Sequence, residues 1–283
     1  MKKILVPTDF SKNASCAFLY AMELAENLDA MVTVAHIYHP SANHLNEFYI
    51  PTDDEIEKAS EERLDEFVAE HYSKNIEEVI VANMVEQKLI IGFAADTLVE
   101  MSKSGEYDLI VMGATGSTGV LEKVFGKVSL YVAQRAACPV LLIPSGGGVD
   151  FRPVRKLMYA SEYESADENV LKQIGNFSNQ LNSKIHLVHV YDKTETPPKI
   201  PGNHIAHFLL EKAFQLKAPW LQFQMDSITS DTVAHGLEAY AKEHNMDWMI
   251  LVKPQRRFWQ RLLHKSKTNE IIMNPSIPLM VMH

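Results

Sequence analysis

The stretch YDLIVMGATGSTGVLEKVFGKVS, residues 107–129, passes from an apolar run through a glycine-rich loop into a helical pattern. The loop contains Gly113, Gly116, Gly119 and Gly126. Glycine loses more backbone freedom on folding than any other residue, so this concentration indicates a specific use. Backbone without Cβ atoms lets N–H groups approach an anion closely, and a helix N-terminus adds about half a positive charge. The loop therefore predicts a phosphate-binding site between a strand and a helix.

The loop matches neither of two widespread nucleotide-binding motifs. A dinucleotide-binding fingerprint opens the first strand–helix turn of a domain, whereas this loop follows a later strand. A Walker loop ends in Gly-Lys followed by Ser or Thr, and no such triplet occurs at the required spacing.

The bulk properties are those of a soluble globular protein with one large or two ordinary domains. The chain has 283 residues, 46% hydrophobic and 22% charged. Its formal net charge of −9 argues against a general binder of nucleic acid or anionic membranes. The opening apolar run ends at Pro7, too early for a signal peptide, and no run approaches the roughly 20 residues that cross a bilayer. A cytoplasmic location is therefore expected.

Four stretches of the first half recur in the same order in the second half. The pairs are KKILVPTDFS (2–11) with VRKLMYASEYES (154–165), VTVAHIYHP (32–40) with IHLVHVYDK (185–193), YDLIVM (107–112) with MDWMILV (246–252), and CPVLLIPS (138–145) with IPLMVMH (277–283). The first two pairs are 153 residues apart and the last two 139, so the first copy holds about 14 more residues, most simply within 41–80. Matched landmarks in order predict a tandem duplication.

Within each copy, short runs of Val, Ile and Leu alternate with amphipathic helical patterns. In the first copy the predicted strands are 2–7, 31–37, 79–84, 107–112 and 139–143, and the predicted helices are 12–28, 54–74, 92–104 and 122–136. Near-continuous apolar runs are typical of parallel strands buried on both faces. Each copy is therefore predicted to be a doubly wound α/β domain, an open sheet of five parallel strands with flanking helices.

The predicted domains are 1–146, which contains the glycine loop, and 151–283. They meet near SGGGVDFRP (145–153), a Gly-rich stretch typical of a connector. Ligands of open α/β sheets bind at the carboxyl ends of the strands, where the strand order reverses. The glycine loop follows the fourth strand at such an end.

These motifs together resemble a known family. The pattern Gly113-x2-Gly116-x9-Gly126 after LIVM, followed by a helix and CPVLLIP, with the opening VPTDFS, is similar to the universal stress protein family. The resemblance covers nearly the whole chain as a tandem duplication and implies an adenine-nucleotide-hydrolase-like fold. It also implies a role in stress response or signalling.

The ATP-binding members of that family hold adenosine at the ends of strands one and two and the phosphates on the glycine loop. By resemblance, ATP, with or without Mg²⁺, is the expected ligand. The implied nucleotide-binding residues are Pro7, Thr8 and Asp9 beside the adenosine, Ile37 on the base, Met112, Gly113 and Gly116 along the ribose and phosphates, and Gly126, Lys127, Val128 and Ser129 as phosphate donors.

One departure from the family pattern falls within the loop. The family has Ser or Thr directly after the third glycine, and this chain has Lys127. A neutral hydroxyl contact is lost, yet the backbone N–H at 127 remains and lysine is itself a phosphate partner. Ser129 could supply a hydroxyl one turn on. Nucleotide binding in the first domain is therefore still expected.

The second copy lacks the glycine motif. Val252, Gln255 and Lys265 stand at the positions of the three glycines, and Glu162 stands at that of Asp9. Their side chains would block a close approach of the backbone to phosphates, so one nucleotide site per chain is expected. By resemblance, the two domains are expected to form an internal pseudo-dimer through PVLLI and PLMVM, and a homodimer and a protein partner are further expectations.

Catalytic and metal-binding residues are not predicted. No side chain is readable as a general base that positions water, so efficient hydrolysis is not expected, although slow ATPase activity or self-phosphorylation stays open. The histidines and cysteines show no spacing typical of a metal site. An enzyme of the adenine-nucleotide hydrolase type would need a Ser-Gly-Gly loop after strand one, where this chain has PTDFS. The alternative is an interaction protein or small-molecule sensor that binds no nucleotide, for which Lys127 is the best support.

Overall fold

The apolar runs of the sequence form parallel strands, and amphipathic helices connect them. The computed structural model describes residues 3–39, 52–75, 84–115, 126–144, 153–161, 168–192, 221–252 and 276–283. The chain divides into two units, unit 1 (Met1–Phe151) and unit 2 (Arg152–His283). Within the described ranges, no helix combines the length and apolar character needed to cross a membrane.

Unit 1 is an open parallel sheet with helices between its strands. Its described elements are β1 (Lys3–Thr8), α1 (Lys12–Leu28), β2 (Met31–Tyr38), α2 (Asp53–Asn75), β3 (Val85–Ile91), α3 (Ala94–Lys103), β4 (Leu109–Gly113), α4 (Lys127–Arg135) and β5 (Val140–Ile143). The strand order is β3-β2-β1-β4-β5, and all neighbours are parallel. Successive residues of β1, β4 and β5 are buried, so both faces of the sheet are covered.

Helix α1 is placed on the sheet by its ends and its buried face. Ser11 is the N-cap, and its Oγ accepts a hydrogen bond from the Ala14 N–H at 3.2 Å. Asp29 ends the helix in a left-handed conformation, and its N–H donates to the carbonyl of Ala25. Small buried residues such as Ala17 and Ala21 let the helix lie close to the strands.

Unit 2 repeats this architecture. Its described elements are β6 (Lys156–Ala160), α5 (Glu168–Leu181), β7 (Lys184–Asp192), β8 (Phe223–Ser230), α6 (Val233–Glu243), β9 (Trp248–Val252) and β10 (Leu279–Met282). The order β8-β7-β6-β9-β10 matches that of unit 1 strand by strand, again with parallel neighbours. The predicted fold, five parallel strands in each half with flanking helices, is confirmed.

Equivalent hydrogen bonds recur in the two units. The Lys3 N–H donates to the Asp108 carboxylate at 3.0 Å, and the Asp108 N–H donates back to the Lys3 carbonyl at 2.9 Å. In unit 2, Lys156 and Asp247 make the same pair of bonds, at 2.8 Å and 3.0 Å. An aspartate before the fourth strand therefore fixes the start of the first strand in each unit.

One predicted strand of unit 1 was wrong. The prediction placed the third strand at 79–84, but β3 is Val85–Ile91 and Met84 is helical, while 79–83 lie outside the described residues. β3 is an edge strand, half-exposed along its length and interrupted by Glu86 and Lys88. It therefore lacks the continuous apolar run by which the buried strands were recognised.

Candidate functional site

The strand order of unit 1 reverses at β1, which has β2 on one side and β4 on the other. The ladder from β1 to β2 continues to the pair Thr8–His36. The ladder from β1 to β4 joins Ile4 to Leu109 and Leu5 to Ile110. Strands β1 and β4 run on beyond those pairs, to Thr8 and Gly113, so their carboxyl ends lie at the switch point of the sheet, where ligands of open α/β proteins bind in a crevice.

The turn from β1 to α1 is held by its own side chains. Thr8 Oγ1 accepts a hydrogen bond from the Phe10 N–H at 3.0 Å, and Asp9 Oδ1 accepts one from the Ser11 N–H at 3.1 Å. Phe10 has a φ of 62°, in the left-handed region that bulky residues rarely adopt. Such backbone strain persists only where surrounding contacts hold it, and it is frequent at functional sites.

Aromatic contacts join this turn to β2 and α2. The Phe10 ring lies 4.3 Å from the His36 ring and 5.8 Å from that of Phe67, and the Arg63 guanidinium lies 4.5 Å from the Phe10 ring centre. His36 Nδ1 donates to the Thr8 carbonyl at 2.8 Å. Burial lowers the pKa of His36, so the ring is neutral at pH 7. Helix α2 is thus docked onto the residues that border the crevice.

Gly113, at the end of β4, has a packing reason for being glycine. A Cβ atom there would lie 3.0 Å from Asn13 Cβ and 3.1 Å from the Asn13 carbonyl carbon and oxygen. Any other residue would push the first turn of α1 away from β4. Asn13 Nδ2 also donates to Thr115 Oγ1 at 2.5 Å, which ties α1 to the start of the glycine loop.

The glycine loop returns to the sheet at the start of α4. The Gly126 N–H donates to the Ala114 carbonyl at 2.9 Å, and Gly126 is the N-cap residue, without a side chain to cap the helix. The Leu130 N–H makes the first hydrogen bond of the helix, to the Gly126 carbonyl at 3.1 Å. The amides of residues 127–129 therefore precede the intrahelical ladder and are the donors a helix N-terminus presents.

The Ser129 hydroxyl is engaged within the fold. Ser129 is buried, and its Oγ donates to the Gly113 carbonyl at 2.8 Å. This bond links the start of α4 to the end of β4. Lys127, two residues earlier, is exposed. The ammonium of Lys127 is therefore the side-chain donor of this helix start that is accessible to a ligand.

The sequence-predicted site residues lie at one edge of the unit 1 sheet. Pro7 and Thr8 end β1, Asp9 is exposed in the following turn, and Ile37 is half-buried near the end of β2. The rest end β4 or begin α4: Met112, Gly113, Gly126, Lys127, Val128 and Ser129. Gly116 lies outside the described residues.

Sequence reasoning missed three residues that shape this edge: Phe10, Asn13 and Arg63. Phe10 gave a weak signal as an apolar residue within a polar turn. Asn13 and Arg63 gave none, because their roles depend on how α1 and α2 pack on the sheet.

The corresponding edge of unit 2 keeps one element of this geometry. His189 Nδ1 donates to the Ser161 carbonyl at 2.7 Å, as His36 does to Thr8. Val252 ends β9 at the position of Gly113. The other predicted differences, at Gln255, Lys265 and Glu162, lie outside the described residues.

A metal centre is not found in the part of the chain that the structure describes, where no three His, Cys, Asp or Glu side chains are grouped to hold an ion.

Comparisons with known proteins agree on one family. The model of the universal stress protein family matches residues 1–144. A universal stress protein of Methanocaldococcus jannaschii is 30% identical over 149 residues, which cover 50% of this chain and 81% of the relative. A universal stress protein of Synechocystis sp. is 23% identical over 304 aligned residues and covers 99% of both chains.

A solved structure shows the same fold over the full length. A universal stress protein from Archaeoglobus fulgidus covers 99% of this chain and 95% of its own, with 17% sequence identity and a TM-score of 0.68. Because the family model spans half of the chain and a relative at 30% identity is covered over most of its length, the chain belongs to the universal stress protein family.

Proposed function

We propose that unit 1 binds one adenine nucleotide, ATP with or without Mg²⁺, and that the protein acts as a nucleotide-binding module in stress response or signalling. The nucleotide lies in the crevice at the carboxyl ends of β1 and β4. Binding, and not turnover, is the proposed activity.

The observation that carries this proposal is the start of α4. Three consecutive amides, those of Lys127, Val128 and Ser129, precede the first intrahelical hydrogen bond, and the N-cap is a glycine. Backbone amides at a helix N-terminus, together with the helix dipole, favour phosphate groups. The exposed Lys127 ammonium adds a charge-assisted donor beside these amides. Such an arrangement supports triphosphate binding.

The adenosine end of the ligand is assigned to the β1 and β2 side of the crevice. Pro7 and Thr8 end β1, and Ile37 supplies a half-buried apolar surface near the end of β2. The Asp9 carboxylate is exposed in the turn above them. An apolar surface for a base, next to a carboxylate that accepts hydrogen bonds, suits a nucleoside.

One site per chain is proposed. The β9 end of unit 2 carries Val252 where β4 carries Gly113, and in unit 1 the first turn of α1 leaves no room for a side chain at that position. The two edges are therefore not equivalent as nucleotide sites.

A second candidate is a sensor or interaction protein that binds no nucleotide. Two observations favour it: the Ser129 hydroxyl is used within the fold, and the close approach of Asn13 already accounts for Gly113. Neither contact involves the amides of residues 127–129 at the start of α4. Nucleotide binding therefore remains the preferred function.

Calorimetric titration of the full chain with ATP, with and without Mg²⁺, tests the proposal. The Lys127→Glu variant places a carboxylate at the start of α4, where it repels phosphates. We expect ATP affinity to fall by roughly a hundredfold, because an attractive charge–phosphate contact is replaced by a repulsive one.

The matched control is Lys58→Glu. Lys58 lies on α2 with its side chain 78% exposed, and its substitution makes the same change in net charge. We expect its ATP affinity to stay within about twofold of wild type, since the side chain is largely exposed and water and salt screen its charge. Equal losses of ATP affinity in the two variants would show an effect of net charge alone. An absence of ATP binding to the wild-type chain would favour the second candidate.

A further inference from the structure

Unit 2 contains a polar cavity at the edge of its sheet where the strands begin. Its volume is about 570 Å³, and it lies between the end of α5 and the starts of β7 and β8. The polar side chains that line it include Asn179, Asn182, Lys184, His186, Gln222 and Gln224. We call it the amino-end cavity. The cavity lies in unit 2 where strands begin, whereas the proposed nucleotide site lies in unit 1 where strands end. The inference drawn from the cavity does not depend on the nucleotide proposal.

A hydrogen-bonded relay runs from the cavity wall into the unit. The Tyr240 hydroxyl lies 2.9 Å from His186 Nδ1 and 2.5 Å from Asp226 Oδ2. Gln224 Nε2 donates to the same Asp226 oxygen at 3.1 Å. The ring of His244 stacks on that of Tyr240 with centroids 3.9 Å apart, which holds the phenol in place.

The relay fixes the tautomer of His186. A carboxylate only accepts hydrogen bonds, so the Tyr240 hydroxyl donates its proton to Asp226 and accepts one from His186 Nδ1–H. Neutral His186 therefore carries its lone pair on Nε2. Burial lowers the pKa of His186, and the neutral form is the resting state at pH 7. In the described part of the chain, Nδ1 is the ring nitrogen with a hydrogen-bond partner, so Nε2 is available to a ligand.

The equivalent place in unit 1 carries different side chains. Thr33 pairs with Glu86 across β2 and β3, and His186 pairs with Gln224 across β7 and β8, at the same register position. A hydroxyl–carboxylate pair, joined at 3.2 Å in unit 1, is thus replaced in unit 2 by an imidazole and a neutral amide.

Ion pairs occupy this place in unit 1. Lys3 Nζ lies 2.8 Å from Glu86 and 2.6 Å from Glu106. Its counterpart in unit 2, Lys156, donates instead to the His244 carbonyl at 2.7 Å. Among the described residues that line the amino-end cavity, none is a counterpart of the carboxylates that neutralise the lysine of unit 1.

The charges around the cavity favour an anion. Lys184 is exposed on the wall, and no carboxylate is among the described residues that line the cavity, in a chain whose net charge is −9. His186 is faced by Asp226 from β8, by Tyr240 and His244 from α6, by Lys156 from β6 and by Lys184 of its own strand. Asp226 lies 3.8 Å from Nδ1, on the side of the ring engaged in the relay, where it stabilises an imidazolium.

We propose that the amino-end cavity binds a small oxyanion, the phosphate or carboxylate group of a metabolite, between the Lys184 ammonium and Nε2 of His186, which takes up a proton from solvent as the anion binds. The lone pair of neutral Nε2 repels an oxyanion, whereas the protonated nitrogen donates to it. The side-chain amides of Asn179, Asn182 and Gln222 provide further donors.

This coupling sets the sign of the pH dependence. A bound anion raises the pKa of His186 above its value in the free protein. Affinity therefore increases as the pH falls from the pKa of the complex to the lower pKa of the free protein, and is constant below it. The relay matters because it presents Nε2, and not Nδ1, to the cavity.

The test uses the full chain with histidine labelled by ¹⁵N, titrated with sulfate and with acetate between about pH 5.5 and pH 8 and followed by NMR. Sulfate keeps a constant charge over this range, and the fraction of acetate that is ionised is known at each pH and is used to correct its affinity. We expect saturable shifts of the His186 ring and tighter binding at the lower pH. Tighter binding of sulfate would indicate a phosphate group as the natural ligand, and tighter binding of acetate a carboxylate.

Three variants make the outcome decisive. Lys184→Gln should weaken binding about tenfold, and Lys172→Gln, which removes an exposed charge from α5 outside the cavity, should leave affinity unchanged. His186→Gln should remove the pH dependence. The proposal is overturned if neither probe shifts His186, if affinity in the wild-type chain is independent of pH, or if the two lysine variants weaken binding equally.

Discussion

Gly113 lies at the end of β4 against the first turn of α1, so close that an added Cβ atom would fall 3.1 Å from the main chain of Asn13. Its neighbours in this contact are hydrogen-bonded in turn, since Ser129 donates to the Gly113 carbonyl and Asn13 donates to Thr115. The glycine is thus needed for the close approach of α1 to β4, whether or not a ligand is bound. Sequence reasoning identified the glycine from its spacing but not this contact, because the packing of a distant helix leaves no local pattern.

Gly113→Ala should destabilise unit 1 by about 1–3 kcal/mol, since the added Cβ forces α1 away from β4. Urea unfolding of the variant and the wild type measures this difference. The control is Gly105→Asn: Gly105 has a φ of 74° but nothing within 4 Å of its Cβ position. Asparagine tolerates that conformation, so we expect a smaller loss there. A Gly113→Ala protein as stable as the wild type would show that the contact is not tight.

At the scale of elements, β3 is joined to β1 by side chains as well as through β2. Lys3 and Lys88 both lie within 3.0 Å of Glu106, and Lys3 also pairs with Glu86. Two hydrogen bonds lower the pKa of the Glu106 carboxyl, the one from Lys3 more than the one from Lys88. Half-exposed lysine and glutamate side chains on an edge strand explain why β3 was misplaced by a search for apolar runs, whereas the buried strands β1, β2, β4 and β5 were predicted from such runs.

Glu106→Gln should lower the free energy of unfolding at pH 7 by less than about 1 kcal/mol, because the side chain is 41% exposed and solvent screens its ion pairs. The pKa of Glu106 is lower in the folded protein than its unfolded value of about 4.5, so the ionised side chain stabilises the fold at a pH above 4.5. That contribution to the free energy of unfolding is lost as the pH falls below 4.5. The difference between variant and wild type should therefore shrink in acid.

Denaturant unfolding at pH 7 and pH 4 checks this, with Glu100→Gln as the control. Glu100 is 71% exposed and pairs with Lys103 one turn away on the same helix. Its removal should have little effect at either pH. A Glu106→Gln deficit that grows in acid would contradict the assigned sign.

At the scale of the whole molecule, the two units share the hydrogen bonds made to their first strand and differ in the residues at the ends of their strands. The aspartate that fixes the first strand and the histidine that donates to the first-strand carbonyl recur in both units, 139 and 153 residues apart. Both residues hydrogen-bond to the first strand of their unit or to the residue after it. The two sequence offsets therefore predicted the shared architecture correctly. The strand ends differ, with Gly113 in one unit and Val252 in the other, and sequence alone indicated that difference through residue size.

The site was predictable only in part. Residues adjacent to strand ends, such as Thr8, Met112 and Gly126, could be located because parallel strands bring their carboxyl ends to one edge. The contributions of Phe10 and Arg63 depend on the docking of α2, which follows a stretch without a clear pattern. The amino-end cavity of unit 2 could not be foreseen either, since His186 and Tyr240 are 54 residues apart.

Native mass spectrometry of the full chain with excess ATP counts the nucleotides bound to each chain and so tests the central claim directly. The account predicts a single added ATP per chain that is lost in Lys127→Glu and kept in Lys58→Glu. Two equally populated additions per chain, or none, would contradict it.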